Sequence, residues 1–396
     1  MERKKKTVIL GVCGGIAAYK ACDLASRLVK LGYEVEAVMT KSAQEFISPL
    51  TLMTLTGHHV VTGMFEEPAS YDVEHISVAK KADLFLLVPA TANVIGKIAN
   101  GIADDFLTTT VMATKAPVLI APAMNSGMWS NPVLKQNIEK CKALGYHFVD
   151  PEEGRLACGD VGEGKLRNLD DILEAALCLL CEKKDLAGKT VLVTAGPTQE
   201  KIDPVRYLTN PSSGKMGYAV ARRAYQRGAQ VILVAGKTAL RDPYGVDLIR
   251  VESALEMYDA VMAHQDKADI IIKSAAVGDY RAETQASHKI KKSEHKLILE
   301  LVKNPDILLE LGKRKKDQIL VGFCMETQNL EEYAAEKLKH KNLDLIVANQ
   351  LNQPGAGFAV DTNAVTILTR DGKAEKLPVM SKEMVADVLL DKVVSL

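Results

Sequence analysis

An apolar run passing straight into a glycine turn occurs twice in this chain. TVILGVCGG covers 7–15 and TVLVTAGPT covers 190–198. Between them 183–189 reads KKDLAGK, charged, glycine-containing and without apolar periodicity. Continuous apolar runs suit strands buried on both faces, and a glycine turn into a helical pattern is how a βαβ unit starts. One such start on each side of a polar stretch predicts two Rossmann-like, doubly wound α/β domains. We expect them at 1–184 and 190–396, with 185–189 as the linker. The length agrees, because 396 residues exceed one ordinary core and fit two of roughly 190–210 residues.

Composition narrows the function classes. Basic and acidic residues balance at 50 each, so no domain-wide basic field exists to hold nucleic acid. Seven cysteines are scattered without framework spacing, which fits reduced thiols. MERKKK followed by TVILGVCGGIAA has the outline of a signal peptide. Gly11, Gly14 and Gly15 break its apolar run, however, and AAYKACDLASRLVKLG continues as an amphipathic helix. No run approaches the roughly 18 apolar residues of a membrane span. The expectation is a soluble cytoplasmic protein with neither nucleic-acid nor membrane partner.

In the first half, VILGV (8–12) turns at Gly14 and Gly15 into a helical pattern over 16–31. Backbone amides at such a turn point outward and suit a phosphate. The glycines lack the G-x-G-x-x-G spacing, and EVEAVMT (34–40) ends in Thr40 rather than in the acid that holds a ribose hydroxyl. A mononucleotide phosphate fits these residues; so does an empty turn of the same fold. PATAN (89–93) follows a buried run, and Thr91 and Asn93 offer hydrogen bonds to a ring or ribityl chain there. Asp104 and Asp105 stand where a helix starts, so capping is their leading role. PVLIAPAMNSGMW (117–129) ends in a loop with Asn125, two methionines and the chain's tryptophan, either a pocket wall or a packed loop with a turn asparagine. GRLACGDVGEGKL (154–166) shows neither helical nor strand period. We expect a mobile flap there, with Cys158 as a candidate proton donor or nucleophile. Cys178 and Cys181 lie on an apolar helical pattern without a second pair, so core packing explains their spacing.

In the second half, 196–215 is dense in Thr, Asn, Ser, Pro and Gly and reaches Lys215 at a helix start. Such a loop binds phosphate through backbone amides plus one lysine. It is not a Walker A loop, since Thr209 replaces the first glycine and Met216 the hydroxyl residue. DIIIKSAAVGDYR (269–281) reads as a buried strand with Asp279 beyond its carboxyl end. KIKK (289–292) is either a solvated face or the source of one lysine for a triphosphate. Lys337 and Lys341 share a helix face, as a phosphate clamp or as ordinary solubilising charge. The C-terminal stretch reads as a hairpin and a final helix.

GGIAAYK (14–20), PATAN, GIADD (101–105), PAMNSGMW (122–129) and LACGDVGEGKL (156–166), in this order and spacing, resemble the flavin-containing phosphopantothenoylcysteine decarboxylases. The resemblance spans the first half and implies a flavodoxin-like flavoprotein domain. It implies that Gly14, Gly15, Ile16 and Thr40 hold the phosphate region of FMN and that Thr91, Ala92, Asn93 and Thr108 line the flavin. His75 falls on the family's catalytic histidine, a general base. Asn125 would bind the substrate carboxylate, and Cys158 would be the acid on the closing flap. Cys13 stands where Ser or Thr is common, and Val88 where Ala is common.

AGPTQEKIDPVRYLTNPSSGKMG (195–217), AAVGDYR (275–281), KIKK, KNPDI (303–307) and VGF (321–323) resemble, over the second half, the phosphopantothenate–cysteine ligases. That likeness implies a nucleotide-binding ligase domain, with CTP held by Ser274, Ala275, Ala276, Asp279, Lys289, Pro305, Asp306, Ile307, Phe323, Lys337 and Lys341. Mg2+ would bridge the phosphates, with no residue assigned to it. Asn210 would hold an acyl-cytidylate, and Lys289 would assist its formation. Gly278 and the pair Cys324–Met325 depart from the family pattern. The whole chain thus resembles the bifunctional proteins of coenzyme A biosynthesis, which join 4'-phosphopantothenate to cysteine and decarboxylate the product to 4'-phosphopantetheine. The same likeness implies a homo-dodecamer built from decarboxylase trimers and ligase dimers. A decarboxylase of other C-terminal cysteines is disfavoured by the intact ligase half. A non-enzymatic relative is disfavoured by the presence of His75, Asn125, Cys158, Asn210 and Lys289 together.

Overall fold

The computed structural model describes residues 5–64, 74–291, 297–326, 330–350, 357 and 360–396. The chain forms two compact units, Met1–Glu182 and Lys183–Leu396. Among the described residues no helix is long and apolar enough to cross a membrane.

The first unit is built on six parallel strands. From edge to edge they run Val60–Val61, Glu34–Met39, Thr7–Val12, Leu84–Ala90, Val118–Pro122 and His147–Phe148. Numbered along the chain this is the Rossmann order 3-2-1-4-5-6; without the edge strand Val60–Val61 it is the flavodoxin order 2-1-3-4-5. The central strands Thr7–Val12 and Leu84–Ala90 bury every residue, as a sheet covered on both faces requires. Helix Tyr19–Lys30 buries Ala21, Leu24, Ala25 and Leu28, the spacing of a single helical face. Gly32, at φ +90°, then lets the chain turn out of the helix toward the next strand.

The second unit repeats the plan. Its eight-stranded sheet runs Asp247–Arg250, Gln230–Ala235, Thr190–Ala195, Ile270–Lys273, Ile319–Glu326, Leu345–Gln350, Val365–Thr369 and Ala374–Lys376. The first six strands are parallel, again in the order 3-2-1-4-5-6, and the last two add an antiparallel edge. Successive residues of Thr190–Ala195 face opposite ways. Val191 and Val193 enter a core with Tyr218 and Leu389, while Leu192 enters another with Met257 and Leu311.

The polar stretch 183–189 belongs to this second unit. Leu186 lies in its core, and Asp185 sits 2.6 Å from the guanidinium of Arg227. Arg227 is fully buried and meets Asp391 at 2.8 Å on its other side. Two stretches that read as irregular contain strands. Glu152–Arg155 pairs antiparallel with Val161–Lys165, and Gln199–Lys201 with Tyr207–Thr209.

Candidate active sites

In each unit the strand order reverses between the first and fourth strands, and open α/β sheets take their ligands past the carboxyl ends of the strands at that point. In the first unit this is a cleft of about 770 Å³. Gly14 forms its floor: a Cβ there would fall 2.4 Å from the Cβ of Ser42, so only glycine lets the two turns approach. Thr40 accepts the amide of Ala43 at 3.2 Å, and Thr91 accepts that of Val94 at 3.4 Å. Both hydroxyls therefore cap helical turns whose first amides sit at the ligand end of the sheet.

Gly14, Gly15, Ile16, Thr40, Thr91, Ala92, Asn93, Asn125 and Cys158 all line this cleft. Two expected residues do not. Thr108 is buried, and its hydroxyl donates to Asp105 at 2.7 Å within a capping box; Asp105, not Thr108, reaches the cleft. His75 stands in the first turn of helix Glu74–Lys81, edge-on to Phe106 with ring centroids 6.3 Å apart. Asp104 takes a different part from capping: it accepts from Lys97 at 2.7 Å, which holds its carboxyl below the usual range.

The stretch expected to form a flap without strand period contains a hairpin, Glu152–Arg155 paired with Val161–Lys165, docked on the loop that carries Asn125. Met124 donates its amide to the carbonyl of Gly164 at 2.9 Å. Gly164 adopts φ +131°, and a Cβ on it would lie 2.3 Å from the carbonyl oxygen of Met124. Trp129 donates Nε1 to Glu163 at 3.0 Å, and the Lys135 ammonium stands 3.5 Å from the centroid of the Trp129 ring. This docking puts three side chains together at the hairpin tip. Asn125 Nδ2 lies 3.4 Å from Cys158 Sγ and 3.4 Å from Asp160 Oδ2, and the thiol donates to Asp160 at 3.3 Å. Cys158 is exposed, whereas burial pushes the Cys13 thiol up to about 12 and leaves it inert.

Sequence reasoning singles out neither Asp160, which reaches the site through Asn125 and Cys158, nor Lys20, Lys41, Lys97 and Arg155, which line the cleft. Among the described residues, Glu34, Glu36 and His58 form a group with metal-ligand spacing. It sits at the amino-terminal end of its strand, opposite the cleft, and Glu36 is bonded to Lys81 at 3.1 Å.

In the second unit, strand Ile270–Lys273 hands over to Ser274–Ala276, which the first strand holds closely. Ser274 and Ala275 donate amides to the carbonyl and hydroxyl oxygens of Thr194, and Ala276 donates to Gly196. Asn210 donates Nδ2 to the Val277 carbonyl at 3.2 Å, which places it beside this turn. Asp279 is exposed, and its carbonyl accepts from Asn304 at 2.8 Å, which ties the turn to Pro305–Ile307. Asp306 caps helix Ile307–Arg314 and accepts from Lys341 at 2.8 Å. Ile307 points into the core, so only its backbone is available to a ligand. Phe323 is half-buried on strand Ile319–Glu326, and Lys337 half-buried in the last turn of helix Leu330–His340. Lys215 is paired with Asp361 at 2.7 Å.

Lys289 is exposed, and its neighbour is fixed on both sides. Ile290 donates its amide to Asp203 at 3.1 Å and accepts from Arg206 at 2.7 Å. Asp203 is buried and also bonds Arg206 at 2.5 Å. Lys292, the last residue of the KIKK run, lies outside the described residues.

Comparison with known proteins covers both units. The family model described as Flavoprotein matches residues 1–180, and that of the DNA/pantothenate metabolism flavoprotein C-terminal domain matches 186–396. The chain is 51% identical over 394 residues to the Coenzyme A biosynthesis bifunctional protein CoaBC of Bacillus subtilis, covering 99% of this chain and 97% of that protein. Identity to the protein of the same name is 45% over 390 residues in Borreliella burgdorferi, with 98% of each chain covered. In Escherichia coli K12 it is 42% over 399 residues, covering 100% of this chain and 98% of that one.

Proposed function

The chain belongs to the family of coenzyme A biosynthesis bifunctional proteins, and from that premise we propose which groups perform each reaction. The second unit is a phosphopantothenate–cysteine ligase that uses CTP with Mg2+. The first is a phosphopantothenoylcysteine decarboxylase that uses FMN. The observation that carries this reading is the meeting of Asn125, Cys158 and Asp160 at a glycine-floored cleft.

The cleft's donors fit FMN. The Gly14 approach, which a Cβ would fill, and the capped turns after Thr40 and Thr91 suit a phosphate and a polar ring edge. FMN bound there supplies a two-electron oxidation of the substrate's thiol-bearing carbon and returns the electrons after carbon dioxide has left. The remaining work belongs to this chain. Asn125 offers Nδ2 to the substrate carboxylate. Decarboxylation leaves an enethiol that needs a proton on carbon, and Cys158 Sγ carries it. Asp160, 3.3 Å away, holds the thiol hydrogen in place. His75 is the proposed general base.

In the ligase unit, Lys289 offsets negative charge as the phosphopantothenate carboxylate attacks the α-phosphate and pyrophosphate departs. Asn210 holds the acyl-cytidylate until the cysteine amine displaces CMP. Ser274–Ala276, Asp279, the Pro305–Ile307 turn, Phe323, Lys337 and Lys341 surround the nucleotide. We place the protein in the cytoplasm as a homo-dodecamer of decarboxylase trimers and ligase dimers; a solution mass other than that of twelve chains overturns the assembly.

The test is a visible absorption spectrum with identification of the chromophore released by heat, followed by turnover of phosphopantothenate, cysteine and CTP. A yellow protein releasing FMN supports the first half. A colourless protein that takes up no added FMN sinks it, and a failure to release pyrophosphate from CTP sinks the second.

A further inference from the structure

We propose that Lys273 binds the polyphosphate of the nucleotide in the ligase unit, a role that rests on the ligase reading above and that the sequence motifs do not assign. Lys273 is the last residue of strand Ile270–Lys273, in register with Thr194 on one side and Gly322 on the other. It therefore stands at the carboxyl edge of the sheet, beside the reversal of strand order where open α/β sheets take their ligands. The next three residues, Ser274–Ala276, form the turn already placed against the nucleotide.

The charges around its amine are Lys341, Asp306 and Asp279. They do not neutralise it. Asp306 spends one oxygen on Lys341 at 2.8 Å and the other on the Leu309 amide at 3.0 Å. Asp279 is exposed to solvent. Among the described residues Lys273 makes neither a hydrogen bond nor an ion pair, although it is half-buried. Its half-buried ammonium lies beside a second ammonium, and like charges so placed repel one another unless an anion joins them. Burial and the neighbouring Lys341 accordingly lower its pKa, to about 8 against the pull of Asp306 and Asp279. Two ammonium groups at one strand end suit a ligand with several adjacent negative oxygens, which a di- or triphosphate provides and a carboxylate does not.

The phosphate could belong to the nucleotide or to phosphopantothenate, and the experiment separates them. Full-length wild type, Lys273→Met and Lys273→Arg are compared by thermal shift with CTP alone and with phosphopantothenate alone. Steady-state ligation is then measured with each substrate varied in turn. The expected result for Lys273→Met is a ligand-free Tm equal to or above wild type, because an unpaired charge has been removed. Its CTP-induced shift is lost and its KM for CTP rises about ten-fold or more, with the KM for phosphopantothenate unchanged and much of the CTP response restored in Lys273→Arg. An unaltered response to CTP overturns the proposal, and so does a change confined to phosphopantothenate. A lower ligand-free Tm in Lys273→Met also overturns it, since the lysine would then be structural. If wild type itself neither shifts with CTP nor ligates, the ligase reading fails, an outcome distinct from a failure at Lys273.

Discussion

Asp203 accepts the backbone amide of Ile290 at 3.1 Å, so the residue next to Lys289 is fixed by a carboxylate 87 positions earlier in the chain. Lys289 itself is exposed and long, and its reach is set by where that backbone sits. Asp203→Asn keeps the shape but weakens the hold on Arg206 and Ile290. Ligation is expected to fall by about 10²-fold, the scale of a small misplacement of a catalytic group, while decarboxylation of supplied phosphopantothenoylcysteine is retained. Separate assays of the two half-reactions check this.

The same carboxylate makes acid sensitivity predictable. Burial alone would raise the pKa of Asp203, but Arg206 and the amides of Val205, Ile290 and Arg206 hold it below the usual carboxylate range. A depressed carboxyl contributes stability that is fully present above its unfolded value of about 3.9. That contribution is lost as pH falls toward the folded value. Denaturant midpoints should therefore drop below about pH 4, and Asp203→Asn should flatten that limb of the profile without altering its slope near neutrality.

Cys158→Ser replaces the proton carrier by a hydroxyl of far higher pKa. The expected outcome is loss of carbon dioxide without completion, with an oxidised, decarboxylated product accumulating and little phosphopantetheine formed. Mass spectrometry of single-turnover mixtures reads this directly. Asp160→Asn keeps a hydrogen-bonding partner for the thiol but removes the charge. It should slow the protonation step by about 10- to 100-fold and leave flavin content at the wild-type level. Full turnover in Cys158→Ser removes the cysteine from its role.

Gly14→Ala inserts a methyl group 2.4 Å from the Cβ of Ser42 and 2.8 Å from its carbonyl carbon and oxygen. Overpacking of this kind costs about 1–3 kcal/mol, which corresponds to roughly 5- to 150-fold weaker FMN binding if the turns separate. The flavin-to-protein absorbance ratio after dialysis measures it. Ligation should be unchanged, because the substitution lies outside the second unit.

Gly164→Ala meets both a φ of +131° and the Met124 carbonyl at 2.3 Å. The hairpin must lift, carrying Cys158 and Asp160 away from Asn125. FMN is expected to stay bound while decarboxylation falls by about 10²-fold. Loss of flavin together with activity would instead place Gly164 in the cofactor site.

The strands were legible because parallel sheets demand continuous apolar runs, as in VILGV and LFLLV. The turns at Gly14 and Thr91 were legible because glycine and threonine there have few other uses at a strand's end. The hairpin at 152–165 was not, since Gly154, Gly162 and Gly164 erase the β-branched alternation that marks a strand. Its pairing rests on backbone hydrogen bonds and on docking against Met124 and Trp129. Asp160 escaped because only the turn from Leu156 to Asp160 brings its carboxylate back to the thiol two residues away. Lys273 was hidden in an apolar strand, where a terminal lysine reads as a solvated end. Thr108 is the opposite case: the resemblance places it at the flavin, and its hydroxyl bonds Asp105 in a capping box, a local role that its sequence neighbours do not announce.

The burial of Leu186 and the clasp of Asp185 and Asp391 on Arg227 decide where this polypeptide can be divided. A cut after Glu182 leaves the ligase half with its apolar cover and both acidic partners. A cut after Lys189, where the charge pattern invites it, strips away Leu186 and Asp185 and leaves a sealed-in guanidinium with half its counter-charge. The ligase half begun at Thr190 is expected to melt at a lower temperature than the same half begun at Lys183. For anyone separating the two enzymes, the seven residues 183–189 travel with the second half.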